Sequence, residues 1–249
     1  MIRERPLFRR RLKALWRQAL QSTLKIPCRS IYGISMPLLR HLHKNRPLHL
    51  VDVGAHDGDF TFGLGCYTGL LSAVLVEPLP HKAAALRQRF GRPGYHVFDC
   101  ALADRKGQAE LRVNAMEATS SLFGARREMP EWQGFPLGEE CLVTCRQRTL
   151  DSVVAEAGLP CVDLLKIDVQ GAEHLVLQGG RETLARTGMI WTECSFKPLY
   201  AGSSTFSDLY GLLESLGFQL TEFNPAMRSA AGELLQVDAL FIKPLKLAD

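Results

Sequence analysis

The residues best placed to do chemistry lie in the run Leu48-His49-Leu50-Val51-Asp52-Val53-Gly54-Ala55-His56-Asp57-Gly58-Asp59-Phe60-Thr61. It reads as an aliphatic strand that ends in an acid, followed by a glycine-bearing turn that opens a helix. Such a turn leaves backbone N–H groups unpaired at the helix start, and its small residues let a ligand approach the main chain closely. A dinucleotide fingerprint needs GxGxxG and a phosphate loop needs GxxxxGK[ST]. Here Gly54 and Gly58 are separated by three residues, Ala55 takes the near position, and no lysine follows Gly58. A carboxylate from Asp52 aimed at this turn would oppose a pyrophosphate and suit an amino group or a sulfonium. A second acid, Glu77, closes Val74-Leu75-Val76-Glu77-Pro78, where its ionised oxygens could accept two bonds from ribose hydroxyls. Acid-x-Gly-x-x-x-Gly with a second acid one strand later is the usual pattern of S-adenosylmethionine (SAM) binding, so SAM is the expected cofactor.

These residues need strands whose tips lie side by side. From residue 47 onward, short apolar runs alternate with helical stretches, as βαβ units and a parallel sheet require. The runs are His49–Val53, Ala73–Glu77, Tyr95–Ala101, Val162–Asp168, Met189–Glu193, Phe218–Phe223 and Val237–Lys243. Helices are expected over Phe60–Tyr67, Lys82–Phe90, Thr149–Ala157, Glu173–Arg186 and Ser204–Leu216, the last stopped by Gly217. The final two runs need no crossover and are expected to pair antiparallel. Residues 104–148 interrupt the alternation with glycines and prolines between strand-like Ala109–Val113 and Leu142–Gln147. They read as an inserted hairpin with a long loop, in which Ser120–Pro136 is a candidate lid.

At Leu164-Leu165-Lys166-Ile167-Asp168-Val169-Gln170-Gly171-Ala172-Glu173 the sequence resembles the FkbM family of SAM-dependent methyltransferases. The likeness extends over about residues 47–243 through the Asp52–Gly58 turn, Glu77-Pro78, Ala101-Leu102-Ala103-Asp104, Ser120-Ser121-Leu122, Thr149-Leu150-Asp151 and Glu193. It implies a Rossmann-like class I methyltransferase fold of the α/β class, with a mostly parallel seven-stranded sheet and helices on both faces. It also implies methylation of hydroxyls on sugars or natural-product scaffolds. By position, Asp52, Gly54 and Gly58, with Ala55 and His56 between them, would shape the pocket for the methionine end of SAM. Glu77 would hold the ribose, Asp99 to Ala101 would lie by the adenine, and Asp168 would sit beside the methyl-transfer centre. The sequence departs from the family at Gln170, where an acid is common, and this tells against a metal held by Asp168 and its second neighbour.

Methyl transfer from a sulfonium leaves the protein to align the reactants and remove one proton. Asp168, at a strand end on the cofactor side, is the first candidate base; His174, Glu193 and His56 are the others. An N-methyltransferase acting on bases would show a [DN]-P-P-[YF] turn, which Asp168-Val169-Gln170-Gly171 lacks, and a nicotinamide-linked dehydrogenase fails on the glycine spacing. A SAM-binding protein without transfer, or a methyltransferase with a lipid or nitrogen acceptor, remains the alternative.

Of 249 residues, 46% are hydrophobic and 22% charged, ordinary for a packed protein. The net charge of +4 conceals an asymmetry: residues 1–46 carry twelve Lys and Arg against the single acid Glu4, and the remainder carries 18 basic residues against 25 acidic ones. Two units are expected, a basic amphipathic helical extension over 1–46 and a methyltransferase domain over 47–249. In the extension, Phe8, Leu12, Leu15, Trp16, Ala19 and Leu24 recur along one side of a helix ended by Pro27. That stripe could pack on the body or on a second subunit, or residues 7–25 could lie on an anionic membrane surface. No nucleic-acid module accompanies the arginines. No apolar run is long enough to span a membrane, and no secretory signal is read. Seven scattered cysteines suggest a reducing compartment, and the expected location is cytoplasmic with possible membrane association. The close pair Cys141 and Cys145 lacks companion ligands, so no metal is expected there.

Overall fold

A computed structural model describes residues 30–31, 34–128, 141–229 and 231–244. A short antiparallel ladder, β1 (Ser30–Ile31) with β2 (Ile34–Ser35), leads into the single turn α1 (Met36–Leu39). Next come β3 (Leu48–Val53), α2 (Asp59–Tyr67), β4 (Leu70–Val76), α3 (Pro80–Phe90) and β5 (Tyr95–Phe98). A second, three-stranded sheet joins β6 (Ala101–Leu102), just ahead of the insertion, to the insertion's own β7 (Gly107–Val113) and β8 (Cys141–Arg148). The chain closes with α4 (Leu150–Glu156), β9 (Val162–Ile167), α5 (Glu173–Gln178), α6 (Arg181–Ala185), β10 (Thr187–Ser195), α7 (Phe206–Ser215), β11 (Gln219–Arg228) and β12 (Leu234–Ile242).

The main sheet has seven strands in the order β11-β12-β10-β9-β3-β4-β5. All neighbours from β10 to β5 are parallel, and β12 slots antiparallel between β10 and β11. This is the mostly parallel sheet expected from the runs, in the Rossmann-like form that the resemblance implies, and each of the seven runs became one of its strands. β3, β4 and β9 are buried on both faces, which is why they read as unbroken aliphatic stretches. Alternation then sorts side chains between two cores. Val51, Val53, Val74, Val76, Leu165 and Ile167 pack with residues of α4 to α7, whereas Leu50, Ala73, Leu75 and Leu164 pack with α1, α2 and α3. Ile34, Leu38, Leu39 and Leu42 belong to the second core, so body packing begins upstream of the expected boundary at residue 47. The amphipathic stretch 7–25 lies outside the described residues.

Two helix ends are fixed by local chemistry. Thr149 accepts the N–H of Ser152 at the start of α4, and Thr205 and Asp208 form a reciprocal capping box on α7. The single helix expected over Glu173–Arg186 is instead broken into α5 and α6 at Gly179-Gly180. A Cβ on Gly179 would come within 2.1 Å of the Ala103 carbonyl oxygen, and one on Gly180 within 2.5 Å of Leu150 Cδ2. The chain there lies flat against the insertion and α4, so the glycines serve contact at the cost of helix continuity.

In the insertion, β8 pairs antiparallel with β7 and parallel with β6. Ser120–Glu128, the described part of the candidate lid, is held against the body: the Ser121 hydroxyl donates to the Gln170 carbonyl (2.7 Å), and the Arg126 N–H donates to the Leu199 carbonyl (2.9 Å). Residues 129–140, the rest of that loop, lie outside the described residues. No helix among the described residues is long and apolar enough to cross a membrane.

Candidate active site

The register of the sheet builds the site. Asp52 on β3 stands opposite Lys166 on β9, Lys166 opposite Trp191 on β10, and Trp191 opposite Leu240 on β12. One row nearer the carboxyl tips of the parallel strands, Glu193 stands opposite Asp238, and Asp238 opposite Asn224 on β11. Asp168, two residues beyond Lys166, begins that second row. Asp168, Glu193, Asp238 and Asn224 therefore form a polar line across four strands, on the face that also carries α1 and α2. Above it opens a cavity of about 560 Å³. It is also lined by Gly54, Ala55 and His56, by Glu77 to Leu79, by Cys100 to Leu102, and by Ser35, Ser120, Leu111 and Leu122.

The turn after β3 is shaped by close approach. Gly54 has φ +73°, and a Cβ there would lie 1.8 Å from the Asp168 carbonyl oxygen, so the tips of β3 and β9 meet only because that position has no side chain. The Gly54 and Ala55 N–H groups both donate to the Val76 carbonyl (3.0 Å each). Glu77, 5% exposed, accepts the His56 N–H at Oε2 (2.9 Å) and the Leu79 N–H at Oε1 (3.0 Å). One carboxylate thus ties the β3 turn to the β4 turn while still facing the cavity. Burial raises its pKa, and the two backbone donors oppose the rise.

Lys166 is the buried cation of the site. Its Nζ donates to the Gly54 carbonyl (2.7 Å) and lies 3.3 Å from Asp52 Oδ1 and 3.5 Å from Asp168 Oδ2. Burial works against its charge, but the two carboxylates outweigh burial and leave its pKa above the ordinary lysine value. Gln170, at φ +57°, spans the two acids beside it: its Nε2 donates to Asp168 Oδ1 (2.8 Å) and to Glu193 Oε2 (3.1 Å). The Tyr200 hydroxyl shares its one proton between Gln170 Oε1 (2.9 Å) and the Thr119 carbonyl (3.1 Å). Gln236 Nε2 donates to the same Glu193 oxygen (3.1 Å). Burial, reinforced by Asp168, Glu173 and Asp238, pushes the Glu193 carboxyl well above the usual carboxylate range. Asp238 is raised to about 6, chiefly by burial, against the Asn224 amide that bonds it at 3.0 Å.

Gly54, Ala55, His56, Glu77, Ala101, Asp168 and Glu193, all singled out from the sequence, line this cavity; Asp52, Gly58, Asp99 and His174 do not. Alternation along β3 turns Asp52 beneath α2, where its Oδ2 accepts the Thr61 hydroxyl (2.6 Å). Gly58 faces α3, where an added Cβ would strike Phe90 and Leu86. Asp99 pairs with Arg87 (3.2 Å) on the outside of the sheet, leaving Cys100 as the cavity neighbour of Ala101. His174 stacks its ring on Phe123 (5.9 Å between centroids), and burial lowers its pKa. Sequence reasoning missed Ser35, Asn224, Gln236 and Asp238. An acid in the middle of Leu234–Ile242, otherwise almost wholly apolar, was a readable signal for the last of these.

A parallel sheet whose last strand turns antiparallel between the fifth and sixth, with a cavity over the tips of its first, second and fourth strands, places the protein among the Rossmann-like SAM-dependent methyltransferases. Known proteins narrow that class. The methyltransferase FkbM domain is matched over residues 52–220. The 2-O-methyltransferase NoeI of Sinorhizobium fredii is 30% identical over 202 residues, covering 78% of this chain and 80% of that protein. The chain belongs to the FkbM methyltransferase family. The AMB antimetabolite synthetase AmbE of Pseudomonas aeruginosa is 29% identical over 201 residues, 69% of this chain but 10% of that much longer protein. Among solved structures, the FkbM methyltransferase of Methylobacillus flagellatus KT is 14% identical with a TM-score of 0.47, covering 77% of this chain and 43% of that one.

Proposed function

We propose that the chain transfers the methyl group of SAM to a hydroxyl of a sugar, glycan or natural-product acceptor, with Glu193 as the proton acceptor. The observation that carries this reading is the row Asp168–Glu193–Asp238–Asn224, with the Gln170 amide bridging its first two members and the Gln236 amide bonded to Glu193. Carboxylates and carboxamides fixed by one another leave acceptor lone pairs and N–H donors toward the cavity, the complement of a polyhydroxylated molecule. The likeness to NoeI, a 2-O-methyltransferase by name, supports hydroxyl methylation.

The residues present fit the cofactor. The cavity volume suits a nucleoside-sized ligand. Two of its lining hydroxyls, Ser35 Oγ and Ser120 Oγ, are buried without a hydrogen-bond partner, the state expected of groups that a ligand satisfies. Glu77 would accept ribose hydroxyls on lone pairs left over from its backbone bonds, the Gly54 turn would lie against the methionine end, and Ala101 and Leu102 would flank the adenine. SAM when bound supplies an electrophilic methyl carbon. The protein's share is to orient the acceptor along the polar row and take the hydroxyl proton on Glu193. Asp168, held by Lys166 and Gln170, is a fixed hydrogen-bond acceptor beside it.

Binding and transfer are separable tests. Glu77→Ala should weaken SAM binding in titration calorimetry by about tenfold or more, as expected for loss of charge-assisted bonds; unchanged affinity would remove the ribose assignment. Incubating the full chain and SAM with glycan and lipid-linked sugar extracts should yield products heavier by one methylene. Tight SAM binding with no methylated product from any hydroxylated acceptor would replace the transferase reading with a binding protein.

A further inference from the structure

We propose that His49, Cys161 and Asp163 form a binding site for a zinc-class divalent ion at the amino-terminal edge of the main sheet. A ring nitrogen of His49, Cys161 Sγ and a carboxylate oxygen of Asp163 all lie within 4.8 Å of one another. Among the described residues this is the one place where three such donors converge. The convergence follows from the fold. β3 and β9 are adjacent and parallel with Leu50 opposite Leu164, so His49 and Asp163 begin their strands side by side. Cys161, two residues before Asp163, enters on the same side.

The partners of His49 and Asp163 resemble the support that metal ligands require. His49 Nδ1 is 2.7 Å from the Ser72 hydroxyl on β4, a contact that orients the ring. Asp163 Oδ2 accepts the His49 backbone N–H at 2.7 Å, which holds the carboxylate in place. No Lys or Arg among the described residues forms an ion pair with this half-buried carboxylate; the neighbouring Arg186 guanidinium is instead bonded to the Leu159 and Pro160 carbonyls. A mixed imidazole, thiolate and carboxylate set suits zinc and disfavours magnesium or calcium, which take oxygen ligands alone. Around tetrahedral zinc such donors stand roughly 3.3–3.7 Å apart, so the side chains need only small rotations to close on an ion. The fourth position would be left to water. On binding, the Cys161 thiol proton passes to solvent. Because the ion displaces that proton, affinity should fall as the pH is lowered. About five residues of β3, roughly 16 Å, separate His49 from the Gly54 turn. The ion would therefore tie β3 to the start of β9 without touching the methyl-transfer cavity.

The test uses the full chain, stripped with chelator and titrated with cobalt(II) as an optical probe and then with zinc. The expected result is one equivalent bound, with a thiolate-to-cobalt charge-transfer band that disappears in Cys161→Ser and in His49→Gln, while SAM affinity stays within about twofold of the parent. No band in the parent protein, or a band that survives Cys161→Ser, would overturn the proposal. Should either variant fail to fold by circular dichroism, alkylation of the unmutated chain decides. Stoichiometric zinc should slow modification of Cys161 by roughly tenfold or more and leave the exposed Cys141 reactive. Equal modification with and without zinc would also overturn it.

Discussion

Glu193→Gln should lower kcat by about two to four orders of magnitude, the usual worth of a positioned general base, and leave SAM affinity within about a factor of two. Glutamine keeps the shape, and its carbonyl oxygen can still accept from Gln170 and Gln236, but it cannot take a proton. The choice of Glu193 over Asp168 rests on environment. Asp168 is 43% exposed and shares its oxygens between the Lys166 ammonium and the Gln170 amide. The hydrogen bonds to Glu193 come from neutral amides, and burial among other acids outweighs the Lys166 charge and favours its protonated form, which suits it to take a proton. The sign of the pH dependence follows. The base must be ionised to work and its pKa is raised, so kcat should fall as pH drops through a value above the ordinary carboxylate range. Asp238, raised to about 6, titrates nearby and broadens that limb. Single-turnover methyl transfer across pH should show the limb in the parent and lose it in Glu193→Gln. If Asp168→Asn causes the larger loss and Glu193→Gln keeps the parent profile, Asp168 is the base.

The distribution of what could be read from the sequence has a physical reason. Strand tips on parallel strands are visible because each ends in an apolar run, and a run followed by an acid or a glycine marks its own end. That is how Gly54, Glu77, Asp168 and Glu193 emerged. Facing was harder. Asp52 and Asp168 are both strand-end acids, and the alternation that sends Leu50 toward α2 sends Asp52 there too, a placement settled by the sheet's second face and invisible in a stretch buried on both sides. His174 looked available because it follows a motif, yet helix α5 turns it against Phe123. Asp238 and Asn224 lie on antiparallel strands at the far end of the sheet, and nothing local announces that Asp238 stands beside Glu193 and Asn224 beside Asp238. His49 on β3 and Cys161 and Asp163 at the start of β9 are likewise more than a hundred residues apart, a spacing no linear zinc signature covers.

The other large effect expected is on stability, from Lys166→Met. Asp52 is fully buried, and its Oδ1 makes no aligned hydrogen bond besides the 3.3 Å ion contact with Lys166. Methionine fills much the same volume but leaves that carboxylate with the Thr61 hydroxyl alone. Stranding a buried charge in this way costs about 3–5 kcal/mol, a drop in Tm of roughly 6–20 °C for a chain of this size. The double variant Asp52→Leu with Lys166→Met should recover much of the loss, because it removes the charge that was stranded. If the double variant is no more stable than the single one, the lysine acts mainly through the Gly54 carbonyl, which it holds at 2.7 Å. High pH offers an independent check. With its pKa raised in the folded state, Lys166 contributes fully below the unfolded value of about 10.4, and that contribution is lost as pH climbs through the folded value. Alkaline unfolding should therefore be steeper in the parent than in Lys166→Met. The same geometry predicts how Asp52→Ala behaves: any weakening of SAM binding should reach the cavity through Lys166 and the Gly54 turn and be accompanied by lower stability, whereas Glu77→Ala should weaken binding with a smaller fall in Tm.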